Sequence, residues 1–151
     1  MSLQQRLRNL LNAFGASNQN DKPEDVRALA TVMLLLEVAW ADSNIAVAEI
    51  AQMKRALERL YGMDDASADA LVTRAQRDHA AATSVQPFTR ALNEQLTSDE
   101  KFEIVTEMWR LALSDASLDK YEEYHVRKIA ELLYVPHADF IAAKLIAKQG
   151  A

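Results

Sequence analysis

Apolar positions recur at helical spacing along the chain, and the strict alternation that marks a half-buried strand is absent. Leu3, Leu7, Leu10, Leu11 and Phe14 fall on one face of a first segment. Gly15 stops it, and the polar stretch over residues 16–21 reads as a linker. Pro23, with Asp21 as a candidate N-cap, opens a helix running to about residue 41. From Ala28 nearly every position of that helix is apolar, so it is predicted to be central and buried all round. A helix over residues 47–60 presents Ile50, Met53, Leu57 and Leu60, and Tyr61-Gly62 ends it. The next, over 67–79, turns Ala70, Leu71 and Ala75 inward. Another opens near Pro87 with Val85, Phe88, Leu92 and Leu96 as its stripe.

Thr97-Ser98-Asp99-Glu100 is a capping box, two acceptors placed to satisfy two free backbone N–H groups. The helix it starts extends to Ser114, with Phe102, Val105, Met108, Trp109, Ala112 and Leu113 inward. A further helix after Asp119 carries Tyr121, Val126, Ile129, Ala130 and Leu133, and Pro136 is predicted to close it. The last, over 138–147, is predicted to pack Phe140, Ile141, Leu145 and Ile146.

One pattern occurs twice. Residues 38–49 read Val-Ala-Trp-Ala-Asp-Ser-Asn-Ile-Ala-Val-Ala-Glu, and residues 111–122 read Leu-Ala-Leu-Ser-Asp-Ala-Ser-Leu-Asp-Lys-Tyr-Glu. Asp42 and Asp115 are 73 residues apart, as are Glu49 and Glu122, Ile45 and Leu118, Arg55 and Lys128, and Tyr61 and Tyr134. That period is too long for a solenoid repeat. The expectation is an all-α, compact bundle of about seven to eight helices over residues 21–151, in two pseudo-two-fold-related halves. An amphipathic helix and linker over 1–20 would precede it.

Composition narrows the function classes. Half of the 151 residues are apolar and 26% are charged, as in an ordinary globular domain, and the chain is long enough to bury a real core. A net charge of −5 argues against nucleic acid as a partner, because phosphate binding needs clustered Lys and Arg. No cysteine is present, which removes disulfides, thiolate nucleophiles and Cys-type zinc sites. The longest apolar run, residues 28–41, is broken by Glu37 and falls short of the ~20 residues that span a bilayer. The start has no secretory signal pattern, so a cytoplasmic protein is expected. Residues 1–14 would dock on the domain or on a second subunit, as in a homodimer, with peripheral membrane association as the alternative.

Each acidic turn places one carboxylate at the end of a helix and another in the first turn of the next. Neither turn is an EF-hand: Asp42 to Glu49 is too short for the 12-residue loop and lacks its glycine. If the two halves bring the turns together, Asp42, Glu49, Asp115 and Glu122 could hold a divalent metal ion, with Asn44 and Asp119 adding oxygens. The competing reading is turn chemistry alone. Asp119 and Glu122 then form a capping box, Glu49 takes the same third position behind the poor cap Ala46, and Asp42 and Asp115 bond turn N–H groups. Glu122-Glu123-Tyr124-His125 supplies one Glu-x-x-His unit of a di-iron bundle, but Gln52 stands where the second histidine would be. Neither a serine–histidine–acid spacing nor a Gly-rich phosphate loop is present. A non-enzymatic module without an organic cofactor is therefore expected, acting through an unidentified protein partner. Trp40 and Trp109 read as core anchors, and His79 and His137 as helix-boundary residues.

The two acidic turns, together with Phe-Thr-Arg-Ala-Leu-Asn-Glu-Gln-Leu-Thr-Ser-Asp-Glu at residues 88–100, resemble the TerB family, the tellurite-resistance protein B-like domain. The resemblance covers roughly residues 25–147. It implies a compact all-helical domain of two similar halves and a link to stress responses. It also implies metal binding through acidic pairs that fall on Asp42 with Glu49 and on Asp115 with Glu122. The family often has glycine after each aspartate, where Ser43 and Ala116 stand here. A similar domain forms part of a J-domain co-chaperone, but this chain lacks the His-Pro-Asp motif, so that activity does not carry over. The rival to metal binding is a helical protein-interaction scaffold whose acids serve only as helix caps.

Overall fold

The computed structural model describes residues 23–39, 45–79, 84–114 and 120–149. Among these residues there are seven helices and no strand. They are α1 (Pro23–Ala39), α2 (Val47–Tyr61), α3 (Asp65–His79), α4 (Gln86–Gln95), α5 (Ser98–Ala112), α6 (Lys120–Leu132) and α7 (His137–Gln149). The expected all-α bundle is what forms.

The apolar run of α1 leaves that helix nothing to show to solvent. From Ala28 to Ala39 only Glu37 is not fully buried. A helix apolar on every side must be covered on every side, and α1 packs against α2, α3, α4, α5 and α6. It shares the centre with α5, which is buried from Ile104 to Ala112 except at Arg110 and packs against α1, α2, α6 and α7. The offset in the sequence is also an offset in the helices. Ala39 and Ala112 end α1 and α5, and Val47 and Lys120 begin α2 and α6, each pair 73 residues apart. The packing exchanges in the same way: α2 lies on both α1 and α5, and α6 lies on both α5 and α1.

Several helix ends follow local chemistry. Gly62 takes the left-handed conformation (φ 66°) and its N–H donates to the Glu58 carbonyl at 2.9 Å. Thr97 Oγ1 accepts from the Glu100 N–H at 3.2 Å, and Glu100 Oε1 accepts from the Thr97 N–H at 2.9 Å. Pro87 lies in the first turn of α4.

Other expectations need correcting. Helix α3 begins at Asp65, two residues early, because Asp64 Oδ1 accepts the Ser67 N–H at 2.7 Å and starts it. Its buried face is Ala68, Val72 and Ala75, while Ala70 is exposed. Pro136 does not close α6. That helix stops at Leu132, and Tyr134 turns left-handed (φ 59°) so that the Val135 N–H reaches the Ala130 carbonyl at 3.0 Å. The Asn93 side chain of α4 also donates to the Leu132 carbonyl, at 2.8 Å. Helix α7 buries Phe140, Ala143 and Ala147, whereas Ile141, Leu145 and Ile146 are exposed. Trp109 is the expected core anchor. It is fully buried, donates from Nε1 to the Phe140 carbonyl at 3.1 Å and packs on the Phe140 ring. Trp40 and residues 1–22, including the predicted first helix and Asp21, lie outside the described residues.

Burial sets the expected response to truncation. Leu35→Ala, at a fully buried position of α1, should cost about 2–5 kcal/mol in urea unfolding. Leu145→Ala, at a residue 56% exposed, should change stability by less than about 0.5 kcal/mol.

Candidate functional site

The acids at the starts of α2 and α6 are buried. Glu49 and Glu122 are each the third residue of their helix, with relative exposures of 3% and 2%. Glu49 Oε1 accepts the Ala46 N–H at 3.0 Å. Ala46 has no side-chain oxygen, so only the returning half of a capping box exists here. Glu100 makes the same returning bond with its side chain 43% exposed, so capping does not by itself require burial. Placing a carboxylate in a site largely cut off from water is costly unless something holds its charge. Asp42, Asn44, Asp115 and Asp119 lie outside the described residues, so the structure locates one acid of each candidate pair. Among the described residues no three His, Asp or Glu side chains gather as a metal-ligating group. His125, one turn beyond Glu122, is half-buried and sits edge-on to the Tyr124 ring, 5.5 Å between centroids. His79 ends α3 and His137 begins α7, the boundary positions expected of them.

A second charged group was not legible in the sequence. Glu107, on α5, is 1% exposed. Arg59 of α2 grips its carboxylate with both ends of the guanidinium, Nε to Oε2 at 2.8 Å and Nη2 to Oε1 at 2.7 Å. Arg110 adds a bond from Nη1 to Oε1 at 2.9 Å. Hydrogen bonding to Glu107 raises the Arg59 pKa above its ordinary value, against the opposing effect of burial. Arg59 and Glu107 are 48 residues apart, and no spacing rule links them.

The one partly exposed residue in the apolar run of α1 is also held by a base. Glu37 Oε2 lies 2.9 Å from His79 Nε2 of α3. That hydrogen bond holds the Glu37 carboxyl below its ordinary value despite desolvation, with further help from the charges of His79, His125 and Lys128. A carboxyl with a lowered folded-state pKa adds stability above its unfolded value and loses it as the pH falls through the folded one.

The family model described as "Tellurite resistance protein TerB" matches residues 28–145. No curated protein and no solved structure matches the chain.

Two outcomes test these charged groups. Arg59→Ala combined with Arg110→Ala strands a buried charge and should destabilise by about 3 kcal/mol or more in urea at pH 7. Glu107→Leu leaves two arginines that can reach water and should cost less than about 1 kcal/mol. Glu37→Gln should flatten the loss of stability as the pH falls below the ordinary glutamate value of 4.5, read from thermal melts across the acid range.

Proposed function

The chain belongs to the TerB family, which makes it a tellurite-resistance-related module, and from that premise we propose that it is a non-enzymatic, cytoplasmic binding protein for a divalent cation. Asp42, Glu49, Asp115 and Glu122 would hold the ion, which would supply charge neutralisation between the two acidic turns. The observation that carries this reading is the burial of Glu49 and Glu122 at positions 73 residues apart. The donor set is all carboxylate oxygen, the chemistry that hard divalent cations take. Bound ion would link the two acidic turns and rigidify the face they form, which a protein partner in a stress response would then read.

One observation favours a second reading. Glu49 bonds the Ala46 N–H, so it caps α2 whether or not an ion is present. In that case the acids only fasten helix starts, and the domain is a scaffold for protein contacts.

Calorimetric titration of the apo protein with Ca²⁺, Mg²⁺, Mn²⁺ and Zn²⁺ separates the two. Ion binding should give saturable heat at millimolar or lower concentration and raise Tm. The paired substitution Asp42→Asn with Asp115→Asn should abolish both effects. No heat and no change in Tm with any of the four ions would leave the scaffold reading. In that case the paired substitution should cost a few kcal/mol at most, independent of metal.

A further inference from the structure

Beside the buried Glu107, helices α2, α5 and α7 enclose a cavity of about 370 Å³. Gln52, Arg55, Arg59, Arg110, Leu113 and Ser114 line it, with Ala147 on the α7 side. Three arginines line this space and its described lining holds no carboxylate, in a protein of net charge −5; Arg55 also borders a neighbouring pocket with Glu58, Asp64 and Asp65. Two of the three are held by Glu107, Arg59 through its Nε/Nη2 edge and Arg110 through Nη1, which fixes their planes and leaves their other N–H groups for a ligand. Arg55 is bonded to the neutral side-chain oxygen of Gln52, at 2.9 Å from Nη2. The C-terminal end of α5 attracts cations here, but a helix end is worth only about half a charge. Glu58 also acts electrostatically on Arg59, so the described acids acting on the three arginines are Glu107 and Glu58.

The other half of the molecule shows how the same charges are balanced when an acid is available. At the 73-residue offset, Arg55 corresponds to Lys128, Gln52 to His125 and Arg110 to Glu37. There Lys128 and His125 act electrostatically on the Glu37 carboxylate, which the chain itself supplies. In the α2–α5 groove an arginine takes that acid's place.

We propose that the cavity lined by Arg55, Arg59 and Arg110 is a binding site for a small phosphorylated molecule, whose phosphoryl group these arginines would hold. Guanidinium forks match phosphate oxygens in pairs. The cavity also falls in the size range of small-molecule pockets, which gives an ester's organic part room beside Leu113 and Ala147. The cavity adjoins the second acidic turn through Leu113 and Ser114, and the binding proposed for it needs no metal ion.

The test is calorimetric titration with inorganic phosphate and, separately, ribose 5-phosphate, in low-salt buffer containing a chelator. Saturable binding is expected at roughly millimolar concentration, tighter for the ester. Arg55→Gln should weaken it about tenfold or more. That substitution leaves the Glu107 bonds intact, and an unchanged Tm would confirm that the fold survives. Arg90→Gln, on an exposed position of α4, should have no effect. Inorganic phosphate binding as tightly as the ester would reassign the site to the free anion and overturn the phosphorylated-molecule proposal. No saturable binding of either probe up to about 10 mM, or equal weakening by Arg55→Gln and Arg90→Gln, would remove the site.

Discussion

A helix stretch without a polar face has to be wrapped on all sides, and α1 is almost such a stretch from Ala28 to Ala39; it lies against α5, whose second half is buried although it carries Glu107. Covering α1 and α5 dictates most of the architecture. Helices α2 and α6 each lie across both, α3 and α4 close the remaining sides of α1, and α7 closes α5. Each fully buried leucine is worth roughly 1.5–3 kcal/mol, and α1 alone contributes Leu29, Leu34, Leu35 and Leu36. The surrounding helices are amphipathic because they have only one apolar surface to meet. Their placement is therefore a consequence of the central pair, and short connections between successive helices suffice.

Wrapping two buried helices says little about how the wrapping helices are rotated and shifted. Directional contacts set that register. Glu107 on α5 accepts the fork of Arg59 on α2, and Glu37 on α1 meets His79 on α3. A buried ion pair need not add net stability, since desolvation offsets the attraction. Its geometric demand is strict, however, because a bidentate pair does not survive a shift of one helical turn. Trp109 adds a neutral constraint of the same kind, its Nε1 requiring the Phe140 carbonyl of α7.

The sequence was most informative where one residue type has one physical use. Gly62 supplies a left-handed residue, and Thr97 with Glu100 supplies two acceptors; both act as read. It misled where hydrophobicity and size compete. In α7 the large apolar residues Ile141, Leu145 and Ile146 point outward, and the small Ala143 and Ala147 lie against the core. A helix that packs closely on the crowded α5 needs small side chains at the contact, and a stripe of the most apolar residues does not reveal that. Tyr134 shows a related failure. The repeat pairs it with Tyr61, but Tyr61 is mostly buried and bonded to Thr31, whereas Tyr134 turns left-handed and outward. The candidate acids were half legible. Glu49 and Glu122 stand where the repeat put them, at equivalent helix starts, but spacing carried no sign of how deeply both are buried. The charged groups around Glu107 and Glu37 depend on contacts 48 and 42 residues apart and could be seen only in three dimensions.

Equivalent helix positions need not keep equivalent chemistry. The offset fixes where α1 and α5 end and where α2 and α6 begin, because helix ends and apolar faces determine whether the core closes. It leaves the polar residues between them free to diverge. Glu37 and Arg110 occupy corresponding positions with opposite charge, and the difference spreads to their neighbours. Lys128 and His125 act on an acid of the chain itself, while Arg59 and Arg110 share the buried Glu107 carboxylate and Arg55 bonds the Gln52 side chain. Glu49 and Glu122 are the same residue at the same helix position, and both are buried. In one scaffold, then, acidic helix starts are kept the same in both halves while the nearby grooves carry opposite charge balances.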